Sequence, residues 1–591
     1  MGDNMVKRQF QWALTIFVGI IVIFGGGSLL WRHAIGPQIQ RLPFVANREI
    51  VSFHEHHGLD PEIPGLIFGQ ALLQTSDAPP PFVEDEVVYL PVVFLAYHFD
   101  PFMHWDTHAN VLIVTTHDEI LVFHPESTHF YINGFPHDTD NPILVIGGDV
   151  FMPACLAEGL YPIIVRHYAT SNIVVVENAM RPYTTAELTG RTNIRFHPDN
   201  RSPVAARASS GSRVTVYDES ENGDFTRVRD EDGLLGWVPT SSIGAKSNHP
   251  YHAEVLDRAT ILSGFVNYAA RRPARQPVML AWDNIGEQAV NYARMQTPIY
   301  DSINIIAPTW FSLDDATLNV ISLACPEYAQ WAHAEGVQIW PTFEVPASQI
   351  TAFLTDRTMR QGVIGQLINY VDRLNLDGIN IDFEPLSSVD GPYYLQFLRE
   401  FAQRLGMRNV VLSVNVAPHA TAVYRRDLLA YTVDLVIVMA LDEHGPNADI
   451  SGPVASLTFV QSSIQNLLAH VPREQLVLGL PFYNRVWREV IGNNTPETRQ
   501  EFHFGTSYTR EWFEYNDVNW EWMPEIGSYY GGFAALEGDE AVQYRVWLEC
   551  ARSIDEKLQI LEAQGLAGVA VWNRNFRHNE ELWEVVGRFL S

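Results

Sequence analysis

Asp377-Gly-Ile-Asn-Ile-Asp-Phe-Glu384 is the stretch that decides the fold of this chain. Apolar residues alternate in it with Asn380, Asp382 and Glu384, which is the pattern of a β-strand with two different faces. Two carboxylates and an amide on one face are costly to desolvate, so they are a poor choice for an inert core. They suit acid/base chemistry, because crowding raises the pKa of one carboxyl while its neighbour stays ionised.

The sequence on either side shows helical spacing, over 363–374 before the strand and from Tyr394 to Leu405 after it. A strand between two helices is typical of a βαβ unit with a buried parallel sheet. The alternative, an edge strand with its acidic residues in water, is disfavoured by that burial.

Seven further apolar segments alternate with helix-like segments from about residue 250 to the end of the chain. The eight candidate strands are Val278–Trp282, Ile303–Ala307, Val337–Thr342, Gly378–Glu384, Val410–Val416, Leu435–Met439, Leu476–Leu480 and Gly568–Trp572. They predict a (β/α)₈ TIM barrel with its active site at the carboxyl ends of the strands. Glu384 ends the fourth strand, where that rule places a catalytic group.

Length and composition indicate a multidomain globular protein. The chain has 591 residues, 47% of them apolar and 18% charged. Its formal charge of -30 argues against nucleic-acid binding, which rests on clusters of Lys and Arg. The three cysteines are widely spaced and form neither a metal-binding pattern nor a disulfide framework.

The N-terminus predicts a membrane anchor. Trp12 to Trp31 carries no charge over a length that can span a bilayer, and Lys7 and Arg8 precede it. This favours a signal anchor (10–31) after a cytoplasmic tail (1–9), rather than a cleaved signal peptide. The expected localisation is the bacterial cell membrane, single-pass, with the catalytic domain on the extracellular face.

Two modules are predicted between a stalk or linker (32–80) and the barrel (250–591). In residues 81–180, Val88-Tyr-Leu-Pro91 is repeated 62 residues later as Val150-Phe-Met-Pro153, and this duplication resembles the copper amine oxidase N-terminal-like domain. No copper is expected, because the histidines there lack a ligand spacing. Residues 183–246 have short strands and turns and resemble a bacterial SH3 domain, which either binds cell-wall peptides or acts as a spacer.

The predicted barrel resembles glycoside hydrolase family 18, whose fourth-strand motif is D-G-x-D-x-D-x-E. The resemblance covers the whole barrel and is strongest to the spore germination and cell-wall branch. The supporting segments run over 302–311, 478–483 and 546–554.

The resemblance implies roles for individual residues. Glu384 would be the general acid, and Asp382 would orient the acetamido group of the substrate and stabilise the oxazolinium that this group forms. Asp377 would support Asp382 from behind. Trp572 would form the floor under the reacting sugar, and Tyr483 would be a substrate contact or a core residue.

Two positions depart from the family pattern. Asn380, expected to contact substrate, replaces an Asp and removes one negative charge. On the sixth strand Met439-Ala-Leu-Asp442 replaces M-x-Y-D, so Leu441 lacks the hydroxyl that normally holds the acetamido carbonyl. Loss of such a donor costs on the order of 10²-fold in rate. Asp442 would still bind substrate, and His444 is either a nearby donor or an ordinary loop residue.

The expected activity is hydrolysis of β-1,4-linked N-acetylglucosamine in peptidoglycan, with retention of configuration and with no cofactor or metal. A chitinase or chito-oligosaccharidase shares the same residues. The alternative from another class is a non-catalytic wall-glycan-binding protein, which Leu441 favours and Glu384 disfavours. The sequence does not give the oligomeric state.

Overall fold

The computed structural model describes residues 46–73, 78–116, 118–251, 277–314, 317, 319–419, 425–490, 503–576 and 579–590. The chain divides into two compact units. One comprises residues 1–100 and 140–266, and the other comprises residues 101–139 and 267–591.

No helix within the described ranges is both long and apolar enough to cross a membrane. The predicted span from Trp12 to Trp31 lies outside those ranges. The expected localisation in the bacterial cell membrane, with the catalytic domain outside, is contradicted by this finding, and no membrane attachment is assigned.

The first unit contains two four-stranded sheets and one seven-stranded sheet. The helices of the two small sheets are Phe53–His57, Val92–His98 and Ala154–Leu160, and their strands are Gly65–Phe68, Ala71–Leu72, Phe82–Glu84, Val87–Pro91, Leu144–Ile146, Asp149–Pro153, Ile163–Tyr168 and Ile173–Asn178. The seven-stranded sheet comprises Tyr183–Leu188, Thr192–Arg195, Val204–Ala208, Arg213–Glu219, Phe225–Arg229, Leu235–Pro239 and Ile243–His249, with a 3₁₀ turn at Thr240–Ser242.

The duplicated segments pair directly with each other in this unit. Leu90 lies opposite Met152 in an antiparallel pair, and each of these two strands leads into a short helix. Part of the predicted stalk is folded rather than extended. Gly65–Phe68 pairs in parallel with Ile173–Asn178 and buries Leu66 and Ile67, because this apolar run completes the sheet.

Eight parallel strands form a closed barrel in the second unit. They are β1 (Val278–Asp283), β2 (Ile305–Pro308), β3 (Gln338–Ile339 and Thr342–Glu344), β4 (Gly378–Asp382), β5 (Val411–Val416), β6 (Leu435–Met439), β7 (Leu476–Pro481) and β8 (Gly568–Trp572). Each pairs with the next, and β8 pairs with β1. All eight predicted strands and the TIM-barrel fold are confirmed.

The helices of this unit follow the strands that they cover. They are Gln288–Arg294, Pro326–Ala334, Ile350–Thr355, Arg357–Leu374, Asp390–Gly406, Arg426–Thr432, Leu457–Leu468, Ala551–Gln564 and Glu580–Leu590, with a 3₁₀ turn at Arg473–Gln475. A hairpin of Phe311–Leu313 and Val320–Ser322 extends the sheet beside β3.

Alternate residues of each strand build two cores. On β4, Ile379 and Ile381 point outward into the layer between strands and helices, whereas Asn380 and Asp382 point into the barrel. Trp340 fills the barrel interior beside Gly378. A Cβ at position 378 would lie 2.6 Å from the Trp340 ring, so the indole occupies the space that glycine leaves free.

A long insertion separates β7 from β8, and the sequence reading did not predict it. Its strands are Asn484–Arg485, Trp487–Val490, His503–Phe504, Glu521–Met523, Ser528–Glu537 and Glu540–Leu548, and its helix is Thr506–Tyr515. Four of the strands form one antiparallel sheet, in which Ser528–Glu537 and Glu540–Leu548 make a hairpin.

A five-stranded antiparallel sheet, which we call the accessory sheet, also belongs to the barrel unit. Its strands are His104–Asp106, Val111–Thr115, Ile120–Phe123, His129–Ile132 and Phe135–Asp138. Arg360 donates to Asp106 at 2.8 Å, and both side chains are fully buried. Gln396 donates to Thr115 at 3.1 Å, and Gln403 to the carbonyl of Asp118 at 2.7 Å. The predicted module 81–180 is therefore divided between the two units.

Candidate active site

Two carboxylates lie at the carboxyl end of β4. Asp382 is the last residue of the strand and is half-buried, and Glu384 follows two residues later with its side chain exposed at the mouth of the barrel. This is the end of the barrel at which active sites form.

Both carboxyls hold their protons more tightly than usual. Burial raises the pKa of Asp382 to about 6, and the Asn415 amide opposes this by a smaller amount. Burial among the strand ends also raises the pKa of Glu384 to about 7, and the negative charge of Asp382 adds to the rise. Although the Glu384 side chain has open surface, neighbouring protein atoms displace enough water to disfavour its ionised form. As the pH rises, Asp382 therefore ionises first and Glu384 keeps its proton to higher pH.

Asn380 lies below Asp382 and is completely buried. It accepts a hydrogen bond from the Trp282 indole at 3.0 Å and donates to Ser413 and Asn415, both at 3.0 Å. The expectation that Asn380 contacts substrate is wrong, because its amide is enclosed and committed to these partners. It holds Asn415 below Asp382 instead.

Asp377 lies at the opposite end of β4. It precedes the first residue of the strand, and it bonds the His333 ring and the backbone N–H of Ile339, both at 2.9 Å. Five residues of extended chain separate it from Asp382, which is roughly 16 Å at about 3.3 Å per residue. The expected catalytic support of Asp382 by Asp377 is therefore corrected: Asp377 fixes the amino-terminal end of the strand.

Asp442 is held at the rim beyond β6. It accepts hydrogen bonds from the Tyr483 hydroxyl at 2.5 Å and from Arg485 at 2.6 Å, while its own side chain stays 42% exposed. Tyr483 is only 2% exposed, so its ring offers almost no surface to a ligand. Tyr483 and Arg485 therefore orient Asp442, which remains accessible. The sequence reading missed Arg485.

Leu441 is half-buried next to Asp442, at the position where the family pattern has tyrosine. The ring of His444 is held within its own loop by a hydrogen bond between its Nδ1 and the carbonyl of Pro453 at 3.1 Å. Its ring also lies against Gly452, where a Cβ would be 2.5 Å away. His444 is an ordinary loop residue.

Trp572 ends β8 and remains half-buried, with its ring 5.9 Å from the ring of Trp282. Trp282 is fully buried beneath it. An indole with one supported face and one partly open face suits stacking against a sugar ring, as the sequence predicted for Trp572.

A third carboxylate, which the sequence reading missed, lies at the end of β3. Glu344 is the residue paired with Asp382 across the parallel sheet, just as Thr342 pairs with Asn380. Burial raises its pKa to about 7, with the charge of Asp382 as the second cause. The alternation Thr-Phe-Glu at 342–344 was the available signal, but only the register between β3 and β4 shows that Glu344 reaches this cluster.

Comparison with known proteins shows which families the parts of this chain are similar to. Residues 343–576 match the model of Glycosyl hydrolases family 18, residues 190–244 that of the Bacterial SH3 domain, and residues 69–161 that of the Copper amine oxidase N-terminal domain. The chain is 22% identical over 324 residues to the glycosylase YvbX of Bacillus subtilis (strain 168), covering 50% of this chain and 90% of that protein.

A second relative is the cortical fragment-lytic enzyme of Bacillus anthracis, 22% identical over 240 residues that cover 38% of this chain and 53% of the relative. The solved structure of the Bacillus cereus spore cortex-lytic enzyme SleL has 19% identity and a TM-score of 0.46, covering 55% of this chain and 76% of that one. Apart from YvbX, the curated relatives are spanned over only about half of their length. The three resemblances read from the sequence are thus confirmed: parts of the chain match the models of Glycosyl hydrolases family 18, the Bacterial SH3 domain and the Copper amine oxidase N-terminal domain.

Proposed function

We propose that this chain is a glycosidase that cleaves β-1,4-linked N-acetylglucosamine in peptidoglycan by substrate-assisted catalysis with net retention of configuration. The observation that carries the proposal is the pair at the end of β4. There a carboxyl with a pKa near 7, Glu384, stands beside Asp382, whose pKa is lower. Two carboxyls whose pKa values are separated in this way can act as proton donor and as stabilising anion at one pH.

In the first step Glu384 gives its proton to the glycosidic oxygen as the bond to the anomeric carbon breaks. The acetamido oxygen of the same sugar attacks that carbon from the other face and forms a positively charged oxazolinium ring. Asp382 accepts a hydrogen bond from the acetamido N–H and stabilises this charge.

In the second step the Glu384 carboxylate takes a proton from water while that water attacks the anomeric carbon and opens the oxazolinium ring. Two inversions at one carbon leave its configuration unchanged. Asp442 binds a sugar hydroxyl at the rim, and Trp572 supports the apolar face of the reacting sugar.

Peptidoglycan is favoured over chitin by two features of the chain. One relative is named a cortical fragment-lytic enzyme, and a bacterial SH3 domain precedes the barrel. Chitin is the nearest rival substrate, since other relatives and neighbours are named chitinases.

The substrate test is to digest purified peptidoglycan and purified chitin separately and to identify the new reducing ends by mass spectrometry. The proposal expects products from peptidoglycan that end in N-acetylglucosamine, and none with Glu384→Gln. Release of chito-oligosaccharides alone would assign the chain to chitin instead.

A non-catalytic glycan-binding protein is the second candidate, and Leu441 is the observation that favours it. The two candidates differ in turnover of a chromogenic N-acetylglucosaminide by the wild type and by Glu384→Gln. The enzyme proposal expects the variant to be slower by about 10²- to 10⁴-fold, the usual contribution of a general acid. Equal and negligible turnover by both proteins, with retained glycan binding, would leave only the binding function.

A further inference from the structure

Glu344 and Asp382 form a cross-strand pair inside the barrel. They are partners in the parallel register of β3 and β4, whose chains run roughly 4.8 Å apart. On both strands the alternate residues, Phe343 and Ile381, point outward into the helix layer, so Glu344 and Asp382 point inward together. Both side chains are half-buried at the same level of the barrel.

Within the described part of the chain, no cation forms an ion pair with either carboxylate of this pair. Glu344 has no hydrogen bond or ion pair with another residue in the ranges that the structure describes. Arg485, a cation of the rim, is committed to Asp442 at 2.6 Å. Below Asp382 stands the neutral Asn380, where the family pattern has a carboxylate. The second carboxyl beside Asp382 therefore comes from β3 in this chain rather than from β4.

We propose that Glu344 is a positioning residue that acts in its protonated form, donating an O–H hydrogen bond to the Asp382 carboxylate so that this carboxylate stays ionised and correctly oriented while Glu384 delivers its proton. This inference rests on the proposed glycosidase function. No covalent bond to Glu344 forms or breaks, and its proton stays on its own carboxyl through the cycle.

The reach of the two side chains fits this role. In the substrate-free structure the carboxyls are not hydrogen-bonded to each other, but Asp382 lies close enough for its charge to act on Glu344. The Glu344 side chain is one methylene longer than that of Asp382 and approaches it from β3, the strand paired with β4. Asp382 would then sit between two proton-bearing carboxyls, which compensates for the loss of water around its charge.

The protonation state of Glu344 is controlled by the neighbouring carboxyls, because the other described elements next to it carry no titratable side chain. The titratable groups on β4 at this level are Asp382 and Glu384, and β5 contributes the neutral Asn415. The adjacent strand Phe311–Leu313 and the helix Ile350–Thr355 carry no titratable side chain. Burial and Asp382 together raise the pKa of Glu344 to about 7, so it carries a proton at the pH where Asp382 is ionised.

The test compares Glu344→Gln, which keeps a hydrogen-bond donor of the same shape at every pH, with Glu344→Leu, which has none. Values of kcat and KM are measured from pH 5 to 9 on an N-acetylglucosamine oligosaccharide. We expect Glu344→Leu to lower kcat about 10-fold with KM changed less than about twofold, and Glu344→Gln to keep most of the wild-type kcat at pH 6. Glu335→Gln, an exposed carboxylate outside the barrel interior, is the matched control.

The pH profile separates positioning from mere packing. In the wild type the protons of both Glu384 and Glu344 contribute to the rate, so log kcat should fall above pH 7 with a slope steeper than one. In Glu344→Gln only Glu384 titrates, and the slope should return to one. If both Glu344 variants keep the wild-type slope and the wild-type kcat while Glu384→Gln is inactive, the role of Glu344 is overturned and the proposed function is not. Full activity of Glu384→Gln would instead overturn the proposed function, and the inference with it.

Discussion

Leu441→Tyr should increase the activity of this protein, which is unusual for a substitution at a candidate active site. The expectation follows from the missing donor at the end of β6. A tyrosine there would present its hydroxyl beside Asp442, whose carboxylate is fixed by Tyr483 and Arg485 at 2.5 and 2.6 Å. Leu441 is half-buried, so the larger ring can extend toward the open side of the site.

The size of the gain follows from what such a donor does. One preorganised hydrogen bond to a charge that develops in the transition state is worth about 10²- to 10³-fold in kcat. Position 441 is only half-buried, and water competes for the same acetamido oxygen, which lowers the benefit. We therefore expect kcat to rise by about 10- to 100-fold.

The assay measures kcat and KM on a chromogenic N-acetylglucosaminide oligosaccharide for the wild type, Leu441→Tyr and Leu441→Phe. The phenylalanine variant has the same ring without the hydroxyl, so any gain from stacking alone would appear in both variants. If Leu441→Tyr folds normally and is no faster than Leu441→Phe, the acetamido group does not occupy the place assigned to it, and substrate-assisted catalysis at this site is refuted.

Three further predictions concern the site and its support. Because the pKa of Glu384 is raised to about 7, its proton is present below that pH and lost above it, so kcat should decline as the pH rises through about 7; a rate that stays flat to pH 9 would exclude Glu384 as the acid. Gly378→Ala places a methyl group 2.6 Å from the Trp340 ring and should cost about 1–3 kcal/mol of stability. The loss should appear as a Tm that is lower by several degrees, whereas an unchanged Tm would show that the indole can move. Asp106→Ala removes the 2.8 Å partner of the fully buried Arg360, which keeps Glu400 at 3.7 Å, and should cost about 3 kcal/mol, read from denaturant unfolding of the full chain. A loss below about 1 kcal/mol would mean that the accessory sheet is not held by this pair.

The periodicity of β4 was enough to predict the barrel and the two carboxylates at its end. Alternation fixes which residues share a face, and flanking helices imply a buried parallel sheet, so Asp382 and Glu384 followed from local sequence. The same counting would have placed Asp377 five residues away at the other end of the strand, but the motif suggested that it belonged with the others.

Residues missed or misread in the sequence depend on contacts between distant segments. Asn380 is enclosed by Trp282 from β1 and Asn415 from β5, and no pattern within β4 reveals this. Glu344 joins the site only through the register of β3 against β4. The insertion after β7 contains a long hairpin, Ser528–Glu537 with Glu540–Leu548, but its pairing with Trp487–Val490 joins segments about 50 residues apart and is decided by the tertiary structure.

The accessory sheet affects the order in which the parts of this protein can fold during synthesis. Residues 101–139 leave the ribosome long before the helices that receive Asp106 and Thr115, so the accessory sheet lacks these helix contacts while the rest of the N-terminal half is made. A gene fragment beginning at the barrel would lack Asp106, the closer of the two buried carboxylates that Arg360 contacts. The compact unit that contains the barrel therefore includes residues 101–139, and recombination near residue 250 would separate parts of that unit.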